Sequence, residues 1–183
     1  MTTHALLVCV PMFAVLAAAA SVDLRERRIP NWMTLGLILT GLAQSFGDGQ
    51  LTTAGESMLG LMAGFALLFV LFCLGAVGAG DVKLMAGVGA WLGPILVLQV
   101  FAAGAVMGMG IVLAQSLRQG RLRALFRNSA VLAINLIHIQ ELGVQHVSET
   151  GQSSQSVDKP LPYAVPILLA AIAVVLNAWG AGR

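Results

Sequence analysis

Eight acidic residues occur in this 183-residue chain, and six have ordinary explanations. Asp48 and Glu56 lie in or beside a loop, Glu141, Glu149 and Asp158 fall in a long polar stretch, and Glu26 sits among arginines that can pair with it. That leaves Asp23, which closes the first apolar run, and Asp81, which ends Val77-Gly78-Ala79-Gly80-Asp81 after the third. An ionisable group at the edge of an apolar helix is costly enough to invite a functional reading. Two carboxylates suit hydrolysis of an amide, which needs a base to activate water and an acid to protonate the carbonyl or the leaving amine. Like charges about 3 Å apart cannot both ionise, so such a pair shares one proton and titrates as a unit. This chemistry needs no Ser or Cys nucleophile. A Ser–His scheme is poorly served, because His4 falls on the opposite side from the aspartates and His138 and His146 lie in the long polar stretch.

The elements that must position these two residues are membrane helices. Hydrophobic residues make up 58% of the chain and charged residues 10%, against about 25% charged in soluble domains. A soluble protein of this length could not bury so much apolar surface. The 21 glycines fit a bundle in lipid, where close packing drives helix association. Cys9 and Cys73 both lie in apolar runs and no CxxC pair occurs, so neither a zinc nor a redox site is expected. No metal and no cofactor is expected, and nothing points to a nucleic-acid partner.

A spanning helix takes about 20 apolar residues. The apolar runs are 5–22, 32–46, 57–77, 84–117 and 161–179. The run 84–117 is too long for one span, and Gly93-Pro94 interrupts it with a strong turn signal. Dividing it there gives a short fourth helix and a full fifth. The expectation is an all-α, polytopic bundle of six membrane helices, in one transmembrane domain covering 1–183, with the fourth helix not necessarily crossing completely. The first run is preceded by no Lys or Arg and followed by Arg25, Arg27 and Arg28, the reverse of a secretory signal, so it is expected to be retained.

Cytoplasmic loops collect Lys and Arg. With the N-terminus and the C-terminus both outside, Arg25–Arg28, Lys83, Arg118–Arg127 and Lys159 all fall inside, and of the Lys and Arg residues only Arg183 falls outside. This topology sets Asp23 and Asp81 at the same depth, just within the cytoplasmic boundary. The segment 118–160 becomes a cytoplasmic loop between helices five and six. Its first part mixes apolar and basic residues like an amphipathic surface helix, and its Ser- and Gln-rich second part is a flexible linker. His138 and His146, eight apart in this loop, are a weak metal pattern. No internal repeat suggests a transporter built from two halves.

The residues around the two aspartates resemble a known family. Gly78-Ala79-Gly80-Asp81, followed by Val82-Lys83-Leu84-Met85-Ala86, looks like the GxGD motif of the type IV prepilin peptidases. Asp23 with Arg28-Ile29-Pro30-Asn31 is similar to that family's first aspartate motif, and Trp91-Leu92-Gly93 is similar too. The resemblance covers most of the chain from Ala5 to Leu117. It implies that Asp23 and Asp81 are the catalytic pair, that Gly78 and Gly80 shape the active-site segment, and that Lys83, Arg28, Pro30 and Asn31 support it. It implies multi-pass residence in the bacterial inner membrane, with lipid as a partner. It further implies that a short basic leader is cut from pilin-like precursors after a Gly, at the cytoplasmic face, with pilus assembly proteins as possible partners. Pro30 is expected in the first turn of the second helix, where its missing N–H is harmless. Lys83 is expected either to face Asp81 or to extend to the headgroups.

Larger members of the family carry an extra cytoplasmic domain with paired CxxC motifs and also N-methylate the new terminus. This sequence lacks those cysteines and resembles the short peptidases of tight-adherence (Flp-type) pilus systems, so methylation is not expected. The signal-peptide-peptidase and presenilin branch shares GxGD but has Tyr before its first Asp, where this chain has Val22. Archaeal preflagellin and prepilin peptidases are similar as well. A transporter using the two carboxylates as carriers would hold them near the midplane rather than at one face. A non-enzymatic assembly component would tolerate Asp→Asn at both positions.

Overall fold

A computed structural model of the chain describes residues 2–47, 51–118 and 163–180, all in helices or the short links between them. The elements are α1 (Thr2–Glu26), α2 (Asn31–Gln44), α3 (Ala54–Cys73), α4 (Ala79–Arg118) and α5 (Ala164–Gly180). The helix and linker expected within 118–160, with His138 and His146, lies outside the described residues beyond Arg118, as does Asp48.

Local chemistry sets the helix ends. Arg27, in the left-handed region at φ 53, stops α1, and its N–H donates to the Asp23 carbonyl at 2.9 Å. Pro30 is the N-cap of α2, with extended backbone at φ −61 and ψ 134. It stands one position ahead of the first-turn place expected from sequence, and the missing N–H is equally harmless there. Thr53 and Glu56 form a reciprocal capping box that opens α3. At the other end of α3, Gly75 adopts φ 73, its N–H donates to Phe72 O, and the Ala76 N–H donates to Leu71 O. That pair of bonds is a Schellman cap, which requires a residue free to go left-handed.

The division expected at Gly93-Pro94 is present. Gly93 takes φ 79 and ψ 176 inside α4, so α4 is two helices, 79–92 and 94–118, joined at a sharp break. The break is a reversal. A Cβ on Gly64 of α3 would lie against Met85 from the first half and 3.2 Å from Val97 of the second. Both halves therefore run along the same stretch of α3. At 1.5 Å per residue the first half is about 20 Å long, less than the roughly 30 Å hydrocarbon core.

Glycine permits this packing. Gly60 of α3 meets the backbone of Gly89 and Gly93, and Gly41 of α2 meets Ala90 and Trp91. Two polar side chains fasten the same junction. The buried Ser57 hydroxyl donates to Ala90 O at 2.6 Å, and the buried Trp91 indole N–H donates to Leu37 O at 3.1 Å. Within apolar surroundings such bonds satisfy groups that would otherwise be left without partners. α4 is consequently the hub: α2, α3 and α5 all pack against it, and α5 also packs against α1.

Three helical stretches, Leu7–Glu26, Ala54–Cys73 and Ala79–Arg118, are long and apolar enough to cross a membrane. α2, with 14 residues, and α5, with 17, are shorter than the roughly 20 of a full span. Large apolar side chains are exposed on every helix, among them Leu7, Leu35, Met62, Val106 and Leu176. Apolar exposure on this scale suits lipid rather than water.

Candidate active site

Asp23 lies in the last turn of α1 and Asp81 in the first turn of α4. They are 58 positions apart in sequence (81 − 23), yet the charge of Asp23 acts at Asp81. Asp23 is 7% exposed and Asp81 is half-buried. Oδ2 of Asp23 and Oδ1 of Asp81 are each buried without a hydrogen-bond partner among the described residues. A buried carboxylate oxygen without a partner is unusual and calls for an explanation. Each leaves acceptor capacity for a water or a substrate group.

The Gly-Ala-Gly-Asp segment opens α4 with a side-chain cap. Gly78 is the N-cap of α4, and its carbonyl accepts from the N–H groups of Asp81 at 3.1 Å and Val82 at 3.4 Å. Asp81 is the third helical residue, and its Oδ2 accepts from the Gly78 N–H at 3.2 Å. This is the side-chain half of a capping box. It fixes one carboxylate oxygen and leaves the other turned inward. The left-handed glycine of this connection is Gly75, not Gly78 or Gly80. Gly80 instead allows close approach, because a Cβ there would stand 3.1 Å from Ile29 Cβ.

The two sequence motifs dock on each other through these residues. Ile29 lies against Gly80, and the Lys83 ammonium donates to Asn31 Oδ1 at 2.9 Å. Neither expected role of Lys83 covers this contact, which ties the start of α2 to the start of α4. Both partners are exposed, so the link is expected to be modest. Asn31→Ala and Lys83→Met should each lower stability by no more than about 1 kcal/mol. In a double-mutant cycle read by thermal unfolding, the pair should lose less than the sum of the singles. Strict additivity would show that the contact does not couple the motifs. Arg28 is exposed, and Arg27 lies nearer Asp23, close enough for its charge to act there.

Two further residues at the site went unnoticed in the sequence. Ala164, first residue of α5, is fully buried, and α5 packs against α1, whose last turn carries Asp23. The Tyr163 phenol lies within electrostatic reach of Asp81. The available signal was that Tyr163 is the sole tyrosine and stands at the start of the last apolar run, on the side where the charge pattern puts both aspartates.

Comparison with known proteins settles the family. The sequence model of the type IV leader peptidase family matches residues 10–113, more than half of the chain and inclusive of both aspartates. The chain belongs to the type IV leader peptidase family. It is 34% identical over 118 residues to a prepilin leader peptidase/N-methyltransferase of Aeromonas hydrophila, covering 58% of this chain and 40% of that protein. It is 32% identical over 117 residues to a protein of the same description from Burkholderia pseudomallei strain 1026b, covering 60% and 37%. It is 30% identical over 101 residues to a type 4 prepilin-like proteins leader peptide-processing enzyme of Escherichia coli O78:H11, covering 51% and 38%. The chain thus spans about two fifths of the length of these relatives. No solved structure matches it. The family match ends at residue 113, so α5 lies beyond it.

Proposed function

We propose that this protein is an aspartic endopeptidase that removes leader peptides from type IV pilin-like precursors, with Asp23 and Asp81 as its catalytic pair. The observation that carries this reading is that two carboxylates from separate motifs lie close enough for the charge of Asp23 to act on Asp81, each with a buried oxygen that has no partner among the described residues. In the chemistry that such a pair supports, one aspartate removes a proton from water as its oxygen attacks the scissile carbonyl carbon. The other, protonated, gives its proton to the carbonyl oxygen. Collapse of the tetrahedral adduct breaks the C–N bond: the leaving nitrogen takes a proton from one aspartate while an adduct hydroxyl returns its proton to the other, which restores the singly protonated pair. Gly78 and Gly80 bring Asp81 into place, while Pro30, Asn31, Lys83 and Arg28 hold the neighbouring helix ends.

The finer reading is that of a six-helix, multi-pass protein of the bacterial inner membrane, N-terminus and C-terminus outside, cutting at the cytoplasmic face. The Lys and Arg distribution supports that topology. Flp-type pilins and related pseudopilins are the favoured substrates, with pilus assembly proteins as possible partners. Cleavage proceeds without methylation. Cys9 and Cys73 lie singly, in α1 and at the end of α3, rather than as the paired CxxC of the dual-activity relatives.

Co-expression with a Flp-type prepilin, in a host lacking its own leader peptidase, tests the substrate and the product together. Mass spectrometry of the pilin should find a new N-terminus directly after a Gly, without the mass of a methyl group. An uncut precursor would contradict the substrate assignment, and a methylated terminus would contradict the single-activity reading.

A further inference from the structure

The second half of α4, residues 94–118, carries no charge until its last residue, Arg118. Residues 94–117 rise about 36 Å at 1.5 Å each. That length crosses the roughly 30 Å hydrocarbon core with some tilt and brings Arg118 to the headgroups. Between this half of α4 and α5 runs an open groove of about 480 Å³. Ile111 of α4 and Leu169 of α5 give it apolar walls, and the small residues Gly110 and Ala114 line it between them. A Cβ on Gly110 would meet nothing within 4 Å, so the space above it is open. The end nearest the headgroups is polar, lined by Gln115 and Arg118. The Arg118 side chain is exposed there. Oε1 of Gln115 is buried and has no hydrogen-bond partner among the described residues, a state that buried polar atoms rarely keep.

We infer that this groove is a binding site for one anionic phospholipid, with an acyl chain along Gly110, Ile111 and Leu169 and the phosphate at Arg118. Charge and polarity choose the occupant. An apolar groove on a lipid-facing surface suits an acyl chain. A guanidinium offers a phosphate two parallel N–H donors, and basic pockets between membrane helices take acidic headgroups. The Gln115 oxygen calls for a donor. A headgroup with hydroxyls, as in phosphatidylglycerol, supplies one beside the phosphate. Choline has neither O–H nor N–H to give, and its positive charge would face Arg118. An apolar helix would cover the walls but leave the Arg118 charge and the Gln115 oxygen unanswered. The groove shares no residue with the aspartate site, so the inference stands independently of the catalytic reading.

The test titrates detergent-solubilised full-length protein with phosphatidylglycerol or phosphatidylcholine of the same acyl chains, counting bound lipid by native mass spectrometry. Wild type should bind one phosphatidylglycerol about 10- to 100-fold tighter than phosphatidylcholine, the range for hydrogen bonds to a charged group. Arg118→Gln should bring the two lipids to equal affinity, and Arg118→Lys should keep part of the preference. Gly110→Phe fills the groove from a position where a Cβ is free of contacts, so it should weaken both lipids while the protein unfolds at the wild-type temperature. Gly36→Phe, on α2 and equally free of contacts at its Cβ, is the control and should bind lipid like wild type. Equal affinity of wild type for the two lipids would overturn the inference and leave the groove to another part of the chain or to a partner helix. A preference that survives Arg118→Gln, or equal losses in Gly110→Phe and Gly36→Phe, would overturn it by placing the bound lipid elsewhere. Inorganic phosphate should not displace phosphatidylglycerol at millimolar concentration. Displacement would contradict the lipid assignment in favour of a bare phosphate site.

Discussion

Asp81→Asn and Asp23→Asn are each expected to abolish leader cleavage, by a factor on the order of 10⁴. Asparagine keeps the shape of aspartate but cannot exchange a proton, so the water loses its base or the carbonyl loses its acid. At Asp81 the substitution has a second consequence. Oδ2 accepts from the Gly78 N–H at 3.2 Å, and an asparagine oxygen can keep that bond, so α4 should still start at the same place. The protein should therefore accumulate and unfold like wild type while failing to shift the mobility of a co-expressed precursor. Asp81→Ala would lose the cap as well and confuse stability with catalysis. If both Asn variants process the precursor at the wild-type rate, the catalytic assignment is wrong.

The largest effect on stability is expected at Gly60. A Cβ there would run into the backbone of Gly89, and would stand 2.7 Å from Gly93 Cα. Backbone atoms cannot swing aside as a flexible side chain can. Gly60→Ala must therefore push α3 away from the reversal in α4, disturbing the Ser57 bond to Ala90 O as well. Overpacking of this kind costs about 1 to 3 kcal/mol, occasionally more, and thermal unfolding in detergent should fall by several degrees. Gly36, in α2, is the matched control, because a Cβ there would meet nothing within 4 Å. Gly36→Ala should be neutral or stabilising by up to about 1 kcal/mol, from helix propensity alone. Equal Tm values for Gly60→Ala and wild type would show that α3 and α4 do not pack as described.

Much of this arrangement was legible in the sequence, for physical reasons that differ by element. Helix positions followed from the length of apolar runs, and the reversal inside α4 followed from Gly93-Pro94, because few other residues can supply φ 79 next to a residue without an N–H. Asp23 and Asp81 stood out because ionisable residues at the edges of apolar runs are costly. What stayed hidden were the contacts between segments. Nothing in the spacing of Lys83 and Asn31 announces their hydrogen bond, 52 positions apart. Nor does composition tell that the cap of α4 uses Gly78 and Asp81 while the left-handed turn falls on Gly75.

The central claim is that two carboxylates act as one unit on one water. It is tested most directly by single-turnover cleavage of a prepilin by purified wild type, Asp23→Asn, Asp81→Asn and the double variant, followed long enough to read residual rates. Residues acting as a unit are strongly non-additive. The expected result is that each single variant loses nearly all activity and the double variant is no slower than the slower single. Losses that multiply in the double variant, or a single variant that cleaves as fast as wild type, would contradict the paired-aspartate account.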